Sequence, residues 1–160
     1  MTIAYRPAEL DDAQFVVPTW SRAFKQSRSA GMIADEDWAF IMHPQIQKVL
    51  ARPGVQTIIA YENTDPSFRY GWISGTPGTP EIPAVVYFCY VKEAFRRAGY
   101  ARGLFAAIGI DPYERFRYTC WTPVIPKLQH AIPHAKHVPE FARIAGYIEQ
   151  EPRRDDRWKR

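Results

Sequence analysis

Residues 84–104 read AVVYFCYVKEAFRRAGYARGL, and the order of elements in this stretch decides the fold. Ala84–Val91 is apolar and aromatic throughout, which predicts a central strand covered on both faces. After it, apolar residues recur at the i, i+3, i+4, i+7 spacing of a helix with one buried face: Ala101, Leu104, Phe105 and Ile108. The sequence therefore predicts a strand, a short basic loop and a helix in direct succession.

The loop between this strand and this helix has features of an anion site. The first N–H groups of a helix lack intrahelical partners, and the helix dipole adds partial positive charge at that end. Gly99 permits close backbone approach to a phosphate, and Arg96, Arg97 and Arg102 add positive charge. The residues alone leave open both a phosphate site and a solvated turn, and neither a P-loop nor a dinucleotide fingerprint is present.

The rest of the chain predicts further strands and helices. Strands rich in β-branched and aromatic residues are expected over residues 3–9, 55–61, 68–76 and 116–125. An amphipathic helix is expected over residues 12–26, capped by Asp11 and Gln14 and kinked at Pro18. A short helix is expected within residues 34–43, and a second one beginning near Pro44.

The order of these elements predicts an α/β (α+β) fold with a mixed sheet, mostly antiparallel and flanked by helices. The helix after the strand at 84–91 must cross over before the strand at 116–125, so we expect these two strands to be parallel neighbours. Beyond them, prolines at 133 and 139 predict two short pieces rather than one helix. We expect one domain over residues 1–150 and a polar tail over residues 151–160.

The composition fits a globular protein of the cytoplasm. The 160 residues are 46% hydrophobic and 24% charged, which supports a sizeable core and excludes disorder. The net charge of +4 suits an anionic cofactor, an anionic substrate or a nucleic acid equally well. Cys89 and Cys120 lie in apolar runs and are expected to be buried free thiols. Neither a signal peptide nor a membrane-spanning segment is expected.

The basic loop resembles a motif of a known family. Residues 96–101, RRAGYA, match the Q/R-x-x-G-x-G/A motif of the GCN5-related N-acetyltransferases (GNAT), and Val91 stands five residues before Arg96 as that family's strand-end valine does. The element order from residue 3 to residue 125 is also similar to that fold. The patterns DDAQFVVPTWSRAFKQS and YGWISG further resemble small GNAT-like proteins encoded by bacteriophages.

The resemblance implies an acetyl-coenzyme A (acetyl-CoA) site. It implies that the loop binds the pyrophosphate through Arg96, Arg97, Ala98, Gly99, Tyr100, Ala101 and Arg102. It implies that the backbone near Tyr90 and Val91 pairs with the pantetheine arm, as an added strand would. It also implies that the central parallel strands splay apart toward their C-terminal ends, where the arm enters the sheet.

The resemblance leaves the proton donor open. Many members of the family use a tyrosine in the last helix to protonate the leaving thiolate, but the similar segment ARIAGYIE (residues 142–149) has Ala142 at that position. Tyr118 is the first candidate donor, because its strand should border the thioester, and His130 is the second. Cys120 is expected on the same strand face as Tyr118.

Candidate bases and metal ligands are also few. The strand at 84–91 contains no glutamate, so Glu62 and Glu81, which flank other strands, are the candidate bases acting through water. Three histidines share a proline-broken segment, but no cysteine or carboxylate completes a ligand set with His130, His134 and His137. We therefore expect no metal site, and a solvent-exposed loop for these histidines.

These observations favour an acetyl-CoA-dependent N-acyltransferase in which an amine attacks the thioester directly, since no nucleophile–base pair is evident. The acceptor amine is not identified. One alternative is a phage-type nucleobase-modifying enzyme, with aromatic residues of the middle sheet stacking on a base. Another is a GNAT-shaped protein that binds coenzyme A or a partner without catalysis. The oligomeric state, including a homodimer, stays open.

Overall fold

The computed structural model describes residues 2–26, 34–120 and 122–138. Within these ranges six strands form one sheet in the spatial order β1 to β6. The strands are β1 (Ile3–Pro7), β2 (Gln56–Glu62), β3 (Asp65–Thr76), β4 (Ala84–Val91), β5 (Phe116–Tyr118) and β6 (Ala135–His137). The helices are α1 (Ala13–Phe24), α2 (Trp38–Leu50), α3 (Tyr100–Ile108) and α4 (Ile125–Leu128).

The sheet is mixed, as the sequence predicts. Strands β1 to β4 are antiparallel to their neighbours, whereas β5 is parallel to both β4 and β6. The expected parallel pairing of residues 84–91 with the strand that begins at Phe116 is therefore confirmed. Both faces of the sheet are covered, which explains why β4 carries no polar face.

Each face of the sheet has its own hydrophobic core. Helices α1 and α2 contribute Val16, Trp20 and Ile46 to a cluster that packs on Ile59 and Trp72. We call this side the α1 face. On the opposite side, α3 contributes buried side chains to a second cluster, with Leu104, Ile108, Tyr70, Val86 and Phe116. We call this side the α3 face.

Two helix boundaries differ from the sequence-based expectation. Asp12, rather than Asp11, precedes α1, and its buried carboxylate accepts bonds from the side chains of Arg6 and Arg69. Residues 38–50 form one helix rather than two. Pro44 lies inside this helix and deprives only the Phe40 carbonyl of its usual donor; Phe40 is 84% exposed, so water can reach that carbonyl.

The strand expected over residues 116–125 is shorter than predicted. It ends at Tyr118, and a short helix begins at Ile125. Pro123 has no N–H group to donate to a strand ladder, which disfavours the predicted strand over residues 123–125. The expectation that Tyr118 and Cys120 share a face is wrong, because Tyr118 packs on the α3 face and Cys120 on the α1 face.

The segment with three histidines forms more structure than expected. His130 lies in an exposed turn after α4, and His134 is also exposed, but His137 belongs to β6 and pairs with Tyr118. The segment at 142–149 and the tail at 151–160 lie outside the described residues, so the domain boundary stays a prediction. Across residues 2–26, 34–120 and 122–138, no helix is long and apolar enough to cross a membrane.

Candidate functional site

Strand β4 contains a bulge at its centre. Its pairing with β3 joins Ser74 to Phe88 but Gly75 to Val86, so Tyr87 is an extra residue. As a result, Tyr87 and Phe88 follow one another yet both pack on the α1 face. Even-numbered residues face α3 before the bulge, and odd-numbered residues do so after it.

The pairing between β4 and β5 ends at the same point. It covers only Ala84 to Val86, and Thr119 closes it with a backbone bond to the Val86 carbonyl (3.1 Å) and a hydroxyl bond to the Tyr87 carbonyl (3.0 Å). Strand β4 then continues to Val91 without a β5 partner among the described residues. Five residues of extended chain leave an edge about 17 Å long.

The open edge exposes the backbone of particular residues. The Lys92 N–H donates to the Tyr70 carbonyl on β3 at 2.9 Å, so alternate residues of β4 also point toward β3. The Tyr90 carbonyl points the same way, because a Cβ at Gly71 would collide with it. The N–H and C=O groups of Cys89 and Val91 therefore face the open edge. The Tyr90 backbone faces β3 instead, so pairing along this edge would involve Cys89, and the expected contact at Val91 stays a prediction.

The loop after β4 returns to this edge. Residues Glu93–Phe95 form one turn of 3₁₀-helix, and the Nε of Arg96 donates to the Val91 carbonyl at 3.1 Å. Arg97 has a φ of 69° and Gly99 a φ of 85°, both in the left-handed region. This conformation is unfavourable for arginine by about 1 kcal/mol or more, so the surrounding turn must hold it.

The loop backbone presents a row of free donors. The first backbone bond into α3 runs from Gly103 to the Gly99 carbonyl at 3.1 Å. From Arg97 to Arg102, six consecutive N–H groups have no acceptor within the described part of the chain. Successive amides in such a turn form a concave nest for an anion, and the helix dipole adds to its positive potential.

The space in front of this nest is open. A Cβ at Gly99 would meet no atom within 4 Å, so glycine is needed there for its backbone conformation. The side chains of Arg96, Arg97 and Arg102 are exposed around it. Tyr100 instead packs against Tyr70 with ring centroids 5.0 Å apart, which fixes the start of α3 on the core.

The two candidate proton donors, Tyr118 and His130, lie in different environments. Tyr118 ends β5 beside Val86, where the edge of β4 opens, and packs on the α3 face. Burial raises its pKa, so the phenol stays protonated at neutral pH. His130 lies in the exposed turn after α4. The sequence suggested His137 only as one of three possible metal ligands, and its contact with Tyr118, at 5.2 Å between ring centroids, was not predicted.

The cysteines are poor nucleophiles. Burial raises the pKa of both the Cys89 and the Cys120 thiols to about 12. At neutral pH the thiolate fraction is then about 10⁻⁵. The two residues also lie on opposite faces of the sheet and are free thiols. No three His, Cys, Asp or Glu side chains of residues 2–26, 34–120 and 122–138 come together to hold a metal ion.

The candidate bases are unsuited to proton abstraction at the open edge. The Glu62 carboxylate accepts bonds from the Tyr70 hydroxyl (2.6 Å), the Thr2 amide and Thr64, which lowers its pKa to about 2. Glu81 lies in the loop before β4, at the end of the strand opposite the nest, and accepts a bond from Thr79. Neither carboxylate borders the edge between Cys89 and Val91.

Two solved structures that align over nearly the whole chain are candidate acetyltransferases. The candidate acetyltransferase YycN from Bacillus subtilis aligns at a TM-score of 0.51 and 17% identity, over 97% of this chain and 94% of that chain. A candidate acetyltransferase from Clostridium acetobutylicum, crystallised with acetyl-CoA, aligns at 0.50 and 16% identity, over 97% and 93%. These likenesses establish the fold.

A candidate acetyltransferase of the GNAT family from Desulfovibrio desulfuricans aligns at 22% identity and a TM-score of 0.42. The alignment covers 67% of this chain and 63% of that longer protein. No family model matches the sequence, and no curated protein matches it. With the YycN alignment, the sheet shows that the chain has the GNAT fold: six strands, antiparallel from β1 to β4 and parallel from β4 to β6, flanked by helices.

Proposed function

We propose that the protein is an acetyl-CoA-dependent N-acyltransferase. The observation that carries this proposal is the row of six free amides from Arg97 to Arg102, which stands beside the open edge of β4. A diphosphate needs concentrated N–H donors and positive charge, and an amide-containing arm needs an unpaired strand edge. Both features occur within 14 residues of chain, from Cys89 to Arg102.

The residues of this region fit acetyl-CoA. The amides of residues 97–102 would hold its pyrophosphate, with Arg96, Arg97 and Arg102 adding charge. The backbone of Cys89 and Val91 would pair with the pantetheine arm along the edge. Because Arg96 bonds the Val91 carbonyl, that carbonyl becomes available to an arm only if the Arg96 side chain turns toward the phosphates.

The chemistry supplied by bound acetyl-CoA is an activated thioester. We propose direct attack by the acceptor amine, since neither described cysteine is present as a thiolate. The amine nitrogen forms a bond to the carbonyl carbon, the carbon–sulfur bond breaks, and the sulfur takes a proton while the ammonium nitrogen loses one. Free thiols are typical of the reducing cytoplasm, and we propose that the protein is located there.

The acceptor is an amine whose class the site does not specify. A nucleobase acceptor would draw on exposed aromatic side chains for stacking. Of the aromatic residues in the middle of the sheet, Tyr70, Trp72, Tyr87 and Phe88 are buried in the two cores, so they cannot stack on a ligand. We therefore propose a small-molecule or peptide amine as the acceptor. A nucleobase acceptor, as in the phage-type hypothesis, is the second candidate.

The test combines binding with turnover. Acetyl-CoA is titrated into the protein by calorimetry, and free thiol release is measured with panels of polyamines, amino acids, peptides and single-stranded DNA. Mass spectrometry of host pools, with and without the protein expressed, identifies an acceptor outside the panels. Binding with amine-dependent thiol release supports the proposal. Binding without any transfer supports a non-catalytic coenzyme A-binding protein, and no binding rejects both.

A further inference from the structure

Tyr118 lies between β4 and β6, at the point where the pairing of β4 with β5 ends. It is the last residue of β5 and pairs with Val86 on one side and with His137 on the other. It therefore stands where β4 loses its partner, between the strand that forms the open edge and a strand that sequence reasoning did not foresee. The His137 ring lies 5.2 Å from the Tyr118 ring at an angle of 30°.

The backbone around Tyr118 is fixed from both sides. The Thr119 N–H donates to the Val86 carbonyl at 3.1 Å, and the Val138 N–H donates to the Tyr118 carbonyl at 2.8 Å. The backbone bonds fix the position of the Tyr118 Cα, but they do not fix the rotation of the Tyr118 side chain. His137 packs against the ring from the neighbouring strand, and the α3-face cluster packs against it from the other elements.

The Tyr118 side chain lies on the same face of the sheet as the row of free amides from Arg97 to Arg102. Helix α3 and the loop before it lie on the α3 face, where the Tyr118 side chain also packs. A molecule bound by the loop amides and extending along β4 would follow an edge of about 17 Å to reach Val86. Tyr118 pairs with Val86 at the end of that path, and its side chain packs on the α3 face.

We infer that His137 is a positioning residue, which holds the Tyr118 phenol by ring-to-ring contact so that it protonates the leaving sulfur of acyl transfer. This inference rests on the proposed function. As the carbon–sulfur bond breaks, the sulfur takes the phenolic proton, and the resulting tyrosinate regains a proton released from the acceptor ammonium. Proton and charge balance without a further reactant.

The proton chemistry of Tyr118 supports this role. Burial raises the pKa of its phenol, so the phenol carries its proton at neutral pH. Among the described residues, no group accepts a hydrogen bond from this hydroxyl. A donor held in the correct orientation contributes about 10² to 10⁴ in rate. A loosely held phenol would lose part of that factor.

The experiment uses four single variants and one double variant of the full chain, with acetyl-CoA and the amine that gives the parent its fastest thiol release. Tyr118→Phe removes the proton and keeps the packing, so kcat should fall about 10²-fold. His137→Ala removes the ring that contacts Tyr118, so kcat should fall about tenfold with the acetyl-CoA Kd unchanged. His137→Phe keeps a flat ring and should restore kcat. His134→Ala, an exposed histidine nearby, is the matched control and should have no effect.

The double variant Tyr118→Phe/His137→Ala decides between positioning and mere stability. If His137 acts through Tyr118, its replacement should cost nothing further once the phenol is absent. Independent losses that add together would overturn the inference, as would normal kcat in His137→Ala or failure of His137→Phe to restore it. A parent that binds acetyl-CoA without thiol release would overturn the proposed function instead, and this inference with it.

Discussion

The Nε of Arg96 donates a hydrogen bond to the carbonyl oxygen of Val91, 3.1 Å away, and so ties the basic loop to the end of β4. The bond holds the chain reversal at Lys92 to Arg96 in register with the open edge. It also occupies an acceptor that an added strand would use. Arg96 thus helps to fix the conformation of the loop, and it lies next to the proposed phosphate position.

Gly99→Asp should weaken acetyl-CoA binding at least about tenfold, or about 1.4 kcal/mol. The aspartate adds bulk and negative charge in the open space before six free amides. Gly109→Asn is the matched control, because Gly109 has a similar φ of 76° and open space but caps the other end of α3. Calorimetry on both variants, after circular dichroism shows that they are folded, measures the difference. Equal affinity for Gly99→Asp and the parent would refute the phosphate position.

Arg96→Ala should weaken acetyl-CoA binding, since it removes a positive charge beside the phosphates. Arg96→Lys should recover most of that loss, because charge alone attracts the anion, although lysine lacks the guanidinium that bonds Val91. Raising the salt concentration should narrow the difference between Arg96→Ala and the parent. If lysine binds as weakly as alanine, the hydrogen bond to Val91 is the important feature, not the charge.

Asp12→Asn should destabilise the fold by about 3 kcal/mol. The Asp12 side chain is fully buried and accepts bonds from Arg6 (2.6 Å), Arg69 (2.5 Å) and the Glu9 amide, so it joins β1, β3 and the start of α1. The neutral amide leaves two arginines without their carboxylate. Urea unfolding measures the loss, and the exposed neighbour Asp11→Asn should leave stability unchanged. A stable Asp12→Asn protein would show that this buried ion pair adds little.

Glu62→Gln should reduce the decrease in the free energy of unfolding that occurs as the pH falls below about 4.5. The Tyr70 hydroxyl and the Thr2 amide hold the pKa of Glu62 at about 2, below its ordinary value of 4.5. A folded-state pKa below the unfolded one means that the stabilisation is complete above pH 4.5 and is lost as pH falls toward 2. Unfolding free energies measured from pH 6 to pH 2 should therefore fall less steeply for the variant. Parallel curves for the two proteins would contradict this assignment.

The sequence by itself determined the strand–loop–helix unit. Ala84–Val91 is apolar on both faces, and α3 repeats its apolar residues at helical spacing, so both elements follow from local patterns. Their order requires a crossover, and hence the parallel neighbour at Phe116. The basic loop with Gly99 could also be located, because glycine and arginine at the start of a helix are local signals.

Only the tertiary structure decided which atoms meet at the site. The bulge at Tyr87 depends on the register of β4 against β3, and it reverses the facing of every later residue in the strand. For that reason the open backbone belongs to Cys89 rather than Tyr90. The pairing of Tyr118 with His137 likewise joins residues far apart in sequence, through a short strand with no periodic signal. Periodicity reports one strand at a time, whereas register, bulges and cross-strand neighbours are properties of several strands packed together.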